Sequence, residues 1–245
     1  MSETHEAWLA EREAESRAKQ ARFMDGIAAR LKRPRVTEAP PHPYRGAPEF
    51  WQGFTWPVEE RVAEFSDNFR AAGGHVKRLA DWNEVQSFLS AQMRELGARE
   101  VLRQDQAELA ALELERIGAA AGARVSVWNS SDSGSEEWIA RAAQADIGIV
   151  VADYAAAHTG TVAVQSAGNK GRSVSLLPTV LVLIVPVERL VTRLGEILTE
   201  LDARGHADLP AGIHFISGPS RSADIENDLT IGVHGPGIVY ALIVG

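Results

Sequence analysis

A chain of 245 residues, 45% hydrophobic and 24% charged, is long enough to bury one substantial core and too apolar to be disordered over most of its length. Its net charge of −8 argues against broad binding to nucleic-acid phosphates, which requires a basic surface. Because the sequence contains no cysteine, the chain can form no disulfide and can offer no thiolate to zinc or to an iron–sulfur cluster.

The first predicted element is a helix of mixed charge from about Thr4 to Arg33. Two pairs of opposite charge at i,i+4 spacing, Glu13–Arg17 and Glu15–Lys19, have the order that supports an exposed helix. The apolar side chains form only a thin stripe along it. We interpret the element as a solvated helix that rests on the domain, or as an arm that docks on another subunit, and the thin stripe favours the first.

A proline-rich segment, Pro34 to Pro57, follows this helix and also carries several aromatic side chains. Such dense proline excludes regular structure and predicts a stiff, extended connector. The aromatic side chains predict that the segment lies in a surface groove of this chain or of a neighbour. We therefore predict an N-terminal helix and aromatic arm over residues 1–57 and one α/β domain over residues 58–245.

From Val58 onward the pattern alternates between helices and short strands. Capping boxes are predicted at Asp81 with Glu84 and at Asp105 with Glu108, with glycines ending both helices. The strands between the helices are predicted near His75–Leu79, Glu100–Leu102 and Arg124–Trp128. This alternation predicts βα units and a parallel sheet flanked by helices.

After Asp146 the chain is rich in unbroken apolar runs, which are typical of strands covered on both faces. One helix, Val187 to Arg204, is predicted among them. The longest run, Thr179 to Val187, is interrupted by Pro186 and is too short to span a bilayer. No signal peptide is recognised either, so we expect a cytoplasmic protein without a membrane partner.

Polar, backbone-constrained loops follow these strands and are the predicted ligand-binding parts. Residues 153–161 and 217–222 combine hydroxyl groups with glycine and can surround a carboxylate or phosphate, although the first also fits a tight turn. Residues 168–173 are basic but lack the Walker A spacing, and alone they are typical of a solvated turn. The predicted ligand-binding residues are Thr159, Gly160, Thr161, Lys170, Arg172, Ser217, Gly218, Ser220, Arg221 and His234.

His234 lies in a rigid Gly-Val-His-Gly-Pro turn and is the first candidate for proton transfer. Asp224 and Glu226 are the other candidate catalytic residues. These carboxylates could instead pair with Arg221, and Ser222 would cap a helix if the next residues are helical. Either structural role needs no catalysis, so the catalytic residues stay unknown.

Three histidines near polar loops, His158, His214 and His234, suggest a metal, but none has the H-x-x-x-H spacing, and we predict no metal site. The G-x-S-x-G elbow and the G-x-G-x-x-G fingerprint are also missing. Their absence disfavours an α/β-hydrolase and a Rossmann dehydrogenase.

Four blocks resemble the LUD domain family, and within it the lactate-utilisation protein C group. In order they are ADYAAAHTGTVAVQS, KGRSVSLLP, FISGPSRSADIE and GVHGP, between Asp146 and the C-terminus. The combination of SGPSRSADIE with GVHGP is highly specific. Members of the family often carry an acidic residue where this chain has His158.

The resemblance implies an α/β fold of the NagB/RpiA/CoA-transferase-like type, in agreement with the alternation of helices and strands. It implies a role in oxidising L-lactate to pyruvate together with partner subunits that carry iron–sulfur clusters, with no cofactor in this chain and a small anionic ligand. Two alternatives stay open: a stand-alone enzyme acting on a sugar phosphate or an acyl-CoA, and an assembly scaffold for the iron–sulfur subunits. A homo-oligomer also stays open.

Overall fold

The computed structural model describes residues 3–38, 53–129, 134–205, 207–223 and 229–245. The chain divides into two compact units, Met1–Gly53 and Phe54–Gly245. The second unit contains all the strands that the structure describes and every predicted ligand-binding residue.

The first unit is described mainly through helix α1, Glu3–Arg30. The predicted ion pairs along it are confirmed, with 2.5 Å between Arg17 and Glu13 and 2.8 Å between Lys19 and Glu15. Most of the proline-rich arm lies within residues 39–52, outside the described residues. No helix in the described ranges is long and apolar enough to cross a membrane.

The second unit alternates helices and strands, as the sequence predicts. Its helices are α2 (Val58–Ala71), α3 (Trp82–Glu95), α4 (Ala107–Ala110), α5 (Leu114–Ala121), α6 (Ser135–Gln144), α7 (Ser173–Leu176) and α8 (Leu194–Ala203). Its strands are β1 (His75–Leu79), β2 (Glu100–Gln104), β3 (Arg124–Trp128), β4 (Ile147–Val151), β5 (Tyr154–Ala156), β6 (Thr161–Gln165), β7 (Val180–Pro186), β8 (Leu190–Val191), β9 (Ile213–Ile216), β10 (Arg221–Ala223), β11 (Leu229–Ile231) and β12 (Ile238–Val244).

Six strands form the main sheet in the order β1-β12-β7-β4-β2-β3. Every neighbouring pair is parallel, which confirms the predicted parallel sheet. Strands β4 and β7 lie in the middle and are buried along their whole length, as their unbroken apolar sequences predict.

Helices cover both faces of the main sheet. On one face α2, α6 and α7 contribute Phe65, Trp138 and Val174 to a large buried cluster. On the other face α3 and α5 contribute Leu89 and Leu114 to a second cluster. The result is a three-layer α/β arrangement with the sheet in the middle.

A second sheet of four strands has the order β8-β5-β6-β9. Its inner face adds Val162 and Val164 to the first cluster, while α8 covers its outer face with Ile197 and Leu201. The two residues 152 and 153 alone separate β4 from β5. The small sheet therefore begins at the carboxyl edge of the main sheet.

The predicted helix from Val187 to Arg204 is wrong in its first half. A 3₁₀ turn, Val187–Arg189, and strand β8 precede α8. Leu190 pairs with Ala155 of β5 and is completely buried. Pairing with a strand distant in sequence overrides the local helical pattern there.

Of the two predicted capping boxes, the one at Asp81 is confirmed and the one at Asp105 is wrong. Asp81 caps α3, accepting from the backbone N–H of Asn83 at 2.8 Å. Asp105 caps nothing, because α4 begins one residue later, after Gln106. Ser222, considered as a cap only if the next residues were helical, lies in β10, which pairs antiparallel with β11.

Candidate functional site

The main sheet has a switch point between β2 and β4, which are neighbours. From β2 the chain continues to β3 on one side, whereas from β4 it continues to β7 on the other. In open parallel sheets, ligands bind at the carboxyl ends of the strands at such a point. Here Gln106 occupies the crevice, since its carboxamide donates to Val151 O at 3.0 Å and accepts from Val151 N at 2.8 Å.

Two ion pairs lie near the same carboxyl edge of the sheet. The ammonium of Lys170 lies 2.5 Å from Asp153 Oδ1, and both side chains are mostly buried. Arg189 lies 2.6 Å from Glu108. Burial alone would raise the pKa of Glu108, but a backbone hydrogen bond, Arg189 and Lys170 together lower it. The cation of Lys170, a predicted ligand-binding residue, is thus committed to an internal carboxylate.

Two of the predicted loops meet the C-terminal end of α2. Gly160 has φ +56°, and a methyl group there would lie 2.6 Å from the backbone nitrogen of Phe69. Gly218 also lies close to the end of α2, because a methyl group on it would lie 2.9 Å from Ala72 O. The guanidinium of Arg221 donates to Ala72 O and places a cation at the negative end of the helix.

Strands β6 and β9 bring Thr161 and Ser217 together. Their hydroxyl oxygens lie 2.8 Å apart, and Thr161 is 5% exposed, whereas Thr159 points into solvent. This pair closes the end of the small sheet and joins the two loops that lie against α2.

Backbone hydrogen bonds connect the His234 turn to the loop 217–222. Ser220 N donates to Pro236 O at 2.9 Å, and Gly232 N donates to Ser220 O at 2.9 Å. The side chain of His234 is exposed. The other candidate catalytic residues, Asp224 and Glu226, lie outside the described residues.

A second polar cluster surrounds Gly212, at the start of β9. A methyl group at Gly212 would lie 2.9 Å from Arg172 Cδ, 3.4 Å from Ser166 Oγ and 3.7 Å from His214 Nε2. We call Ser166, Arg172, Gly212 and His214 the Gly212 cradle. Of the predicted ligand-binding residues, the structure places Arg172 in it.

His214 is the titratable residue of the cradle and is half-buried. Its Nδ1 lies 3.3 Å from the hydroxyl of Ser175, which is 1% exposed. Burial lowers the pKa of His214, and the nearby charge of Arg172 lowers it further. Both effects favour the neutral form of the imidazole.

The sequence pattern indicates His214 only as a possible metal ligand, and it does not single out Ser166 or Ser175. One signal could have found His214. Ile216 is partly buried and packs against the first cluster, and side chains two residues apart share a face of a strand, so His214 must point inward too. A polar side chain on the inward face of a strand needs a partner, and here that partner is Ser175.

Within the described ranges, no group of three or more histidine, aspartate or glutamate side chains could hold a metal ion. His158 contacts the rings of Phe54 and Trp56 instead, with ring centroids 5.3 Å and 5.9 Å away.

The sequence profile of the LUD domain matches residues 62–244, which include both sheets and all the predicted loops. The chain belongs to the LUD domain family. Among its relatives, the lactate utilization protein C of Halalkalibacterium halodurans is 36% identical over 222 residues, covering 87% of this chain and 92% of the relative. That of Shouchella clausii is 35% identical over 216 residues, with the same shares covered.

A solved structure shares the fold of this LUD domain. The crystal structure of a DUF162 family protein from Deinococcus radiodurans superposes with a TM-score of 0.56 and covers 78% of this chain and 99% of that chain. The sequence identity is 17%, so the likeness concerns the fold alone. The expected α/β class, with a mainly parallel sheet flanked by helices, is confirmed.

Proposed function

We propose that this LUD-domain chain is a non-redox component of an L-lactate utilisation system that oxidises L-lactate to pyruvate. One observation carries the proposal, the 36% identity to a lactate utilization protein C over 87% of this chain and 92% of that protein. The family match over residues 62–244 includes the loops and the Gly212 cradle as well as the sheet.

The proposal places the electron carriers on partner subunits with iron–sulfur clusters. Such clusters are held mainly by cysteine thiolates, and this sequence contains none. The part left to this chain is to bind a small anionic ligand of the system.

The contacts of the predicted cations favour Arg172 as the anion-binding group. Lys170 is paired with Asp153, and Arg221 donates to the end of α2. Arg172 forms no ion pair with any residue in the described ranges, and it lies close enough to His214 for its charge to lower the pKa of that ring. Its planar guanidinium can bind a carboxylate through two parallel hydrogen bonds.

Deletion of the gene in its native host tests the proposed role. The deletion strain should not grow on L-lactate as the sole carbon source but should grow normally on pyruvate. The wild-type gene and the surface variant Arg94→Gln should restore growth, whereas Arg172→Gln should not. Normal growth of the deletion strain on L-lactate would exclude the role in lactate utilisation.

A further inference from the structure

We infer that two copies of this chain associate through helix α1, with the two helices packed side by side and antiparallel about a two-fold axis beside Ser16. This association is independent of the proposed function. Two properties of the helix support it: the position of its large apolar side chains, and the arrangement of its charges along the sequence.

The large apolar side chains of α1 are exposed and lie on one face of the helix. With 3.6 residues per turn, an arc of about 160° contains all of them. We call this the apolar face of α1. Its members are 37–69% exposed, and they are Trp8, Leu9, Phe23, Met24 and Ile27. An exposed apolar face of this kind is typical of a surface that binds another protein.

The apolar face has two apolar ends and a polar middle, which are arranged symmetrically about Ser16. Leu9 lies seven residues before Ser16, and Phe23 lies seven residues after it. A spacing of seven keeps side chains on nearly the same side of a helix. In an antiparallel pair centred on Ser16, Leu9 of each copy therefore lies opposite Phe23 of the other, and both apolar ends are covered.

The charges of α1 are also divided at Ser16. Residues 11–15 include three glutamates and one arginine, whereas residues 17–22 include three cations and no carboxylate. An antiparallel pair brings the acidic half of each helix against the basic half of the other. A parallel pair brings like halves together, which is unfavourable. The charges therefore favour the antiparallel direction.

The complementarity extends to individual side chains. Antiparallel pairing about Ser16 places Glu13 of one copy opposite Lys19 of the other. It places Glu15 opposite Arg17 in the same way. Within one copy these four side chains form ion pairs along their own helix, and all are 42–77% exposed. Such exposed pairs contribute little, so their exchange for pairs across the interface costs little.

A second copy of the chain is thus the occupant that fits the apolar face. After a two-fold rotation the face is complementary to itself both in apolar side chains and in charge, as an interface between identical subunits requires. The polar middle also fixes the register, because a shift along the axis would bring polar groups against the apolar ends.

Analytical ultracentrifugation of the full chain tests the association. The wild type should show a monomer–dimer equilibrium, and Phe23→Gln should weaken it by about ten-fold or more, because a large aromatic contact is lost. Ala18→Gln, on the opposite face of α1, is the control and should associate like the wild type. A chain that stays monomeric up to about 1 mM would overturn the inference, as would equal association of Phe23→Gln and the wild type.

Charge reversal tests the pairing of side chains. Glu13→Lys and Lys19→Glu should each weaken self-association by about five-fold or more, because each creates two like-charge contacts. An equimolar mixture of the two variants should associate about as tightly as the wild type, since both contacts then join opposite charges. Damage to the helix itself would not be repaired by mixing. Glu11→Lys, outside the apolar face, is the matched control, and failure of the mixture to associate would contradict the pairing.

Single cysteines test the direction, because the natural sequence contains none. Ser16→Cys should form a disulfide-linked dimer on oxidation. Spin labels on Arg30→Cys should lie about 42 Å apart, since each is 14 residues from the axis at 1.5 Å per residue. Labels at this position separated by only about 10 Å, the distance between packed helices, would show parallel pairing and overturn the inference.

Discussion

Gly212 determines how much room the cradle has, and it can be changed without harming the fold. A methyl group there meets only the flexible side chain of Arg172 closely, at 2.9 Å, and Gly212 does not need a positive φ. We expect Gly212→Ala to fold normally and to weaken anion binding by Arg172 at least about five-fold, because the methyl group displaces the Arg172 side chain.

Gly195→Ala is the matched control, since a methyl group at Gly195 on α8 meets nothing within 4 Å. It should keep full affinity and should stabilise the helix by about 0.5–1 kcal/mol. Calorimetry and urea unfolding measure both effects. Unchanged binding by Gly212→Ala would show that no ligand occupies the cradle.

The half-buried ring of His214 links stability to pH. Its pKa is lowered in the folded protein from an ordinary value of 6.5, by burial first and by Arg172 second. The unfolded chain therefore takes up the proton first, and stability decreases as pH falls below about 6.5 until the folded pKa is reached. We expect the free energy of unfolding to fall less between about pH 7.5 and pH 5.5 in His214→Gln than in the wild type.

Urea unfolding at the two pH values measures this difference, and His5→Gln on α1 is the control that should follow the wild type. Identical pH dependence of wild type and His214→Gln would mean that the ring is not desolvated in the folded protein.

The residues of the site were only partly predictable from the sequence. The polar loops after the strands contain three cations, Lys170, Arg172 and Arg221. The residues around them in the sequence do not indicate which of the three binds a ligand. Their partners, Asp153, His214 and the end of α2, are distant in sequence. The fold alone decides which cation is neutralised, so residue types could place the cations in loops but could not choose among them.

At the scale of elements, Gly160 joins the turn between β5 and β6 to helix α2. The residue has φ +56°, and a methyl group would approach the Phe69 backbone nitrogen to 2.6 Å, which no side-chain movement can relieve. Gly160→Ala should lower the free energy of unfolding by the cost of left-handed backbone, about 1–2 kcal/mol, and by about 1–3 kcal/mol more for the clash.

The control for this prediction is Gly122→Ala at the end of α5. Gly122 has φ +83°, but a methyl group there meets nothing within 4 Å, so only the backbone cost applies. Urea unfolding of both variants separates the two contributions. Equal losses would show that the turn does not press against α2.

The elements themselves were more predictable than their partners. Buried strands such as β4 and β7 were visible as unbroken apolar runs, and Asp81 marked the start of α3 correctly. The helix predicted from Val187 failed because Leu190 pairs with β5. Local patterns predict a segment well when its neighbours follow the same pattern, and poorly when a distant strand competes for it.

At the scale of the whole molecule, Asp153 connects the two sheets. It lies between β4 and β5, and its Oδ2 accepts from Gln165 N in β6 at 2.7 Å. Its Oδ1 lies 2.5 Å from the ammonium of Lys170, which belongs to the loop before α7. One carboxylate thus fixes the carboxyl edge of the main sheet, the small sheet and the basic loop in one arrangement.

Replacing Lys170 with Met tests whether this residue serves the fold or the ligand. Both side chains of the Lys170–Asp153 pair are mostly buried, at 14% and 19% exposed, so the variant leaves a carboxylate without its cation. We expect Lys170→Met to lower the free energy of unfolding by about 2 kcal/mol. Its affinity for L-lactate should stay within about two-fold of the wild type, because the ammonium is already engaged by Asp153.

Arg172→Gln should show the reverse, with near-normal stability and weakened binding, when urea unfolding and calorimetry are applied to both. Weakened binding by Lys170→Met at unchanged stability would place Lys170 on the ligand and move the binding site from the Gly212 cradle to the switch point of the main sheet.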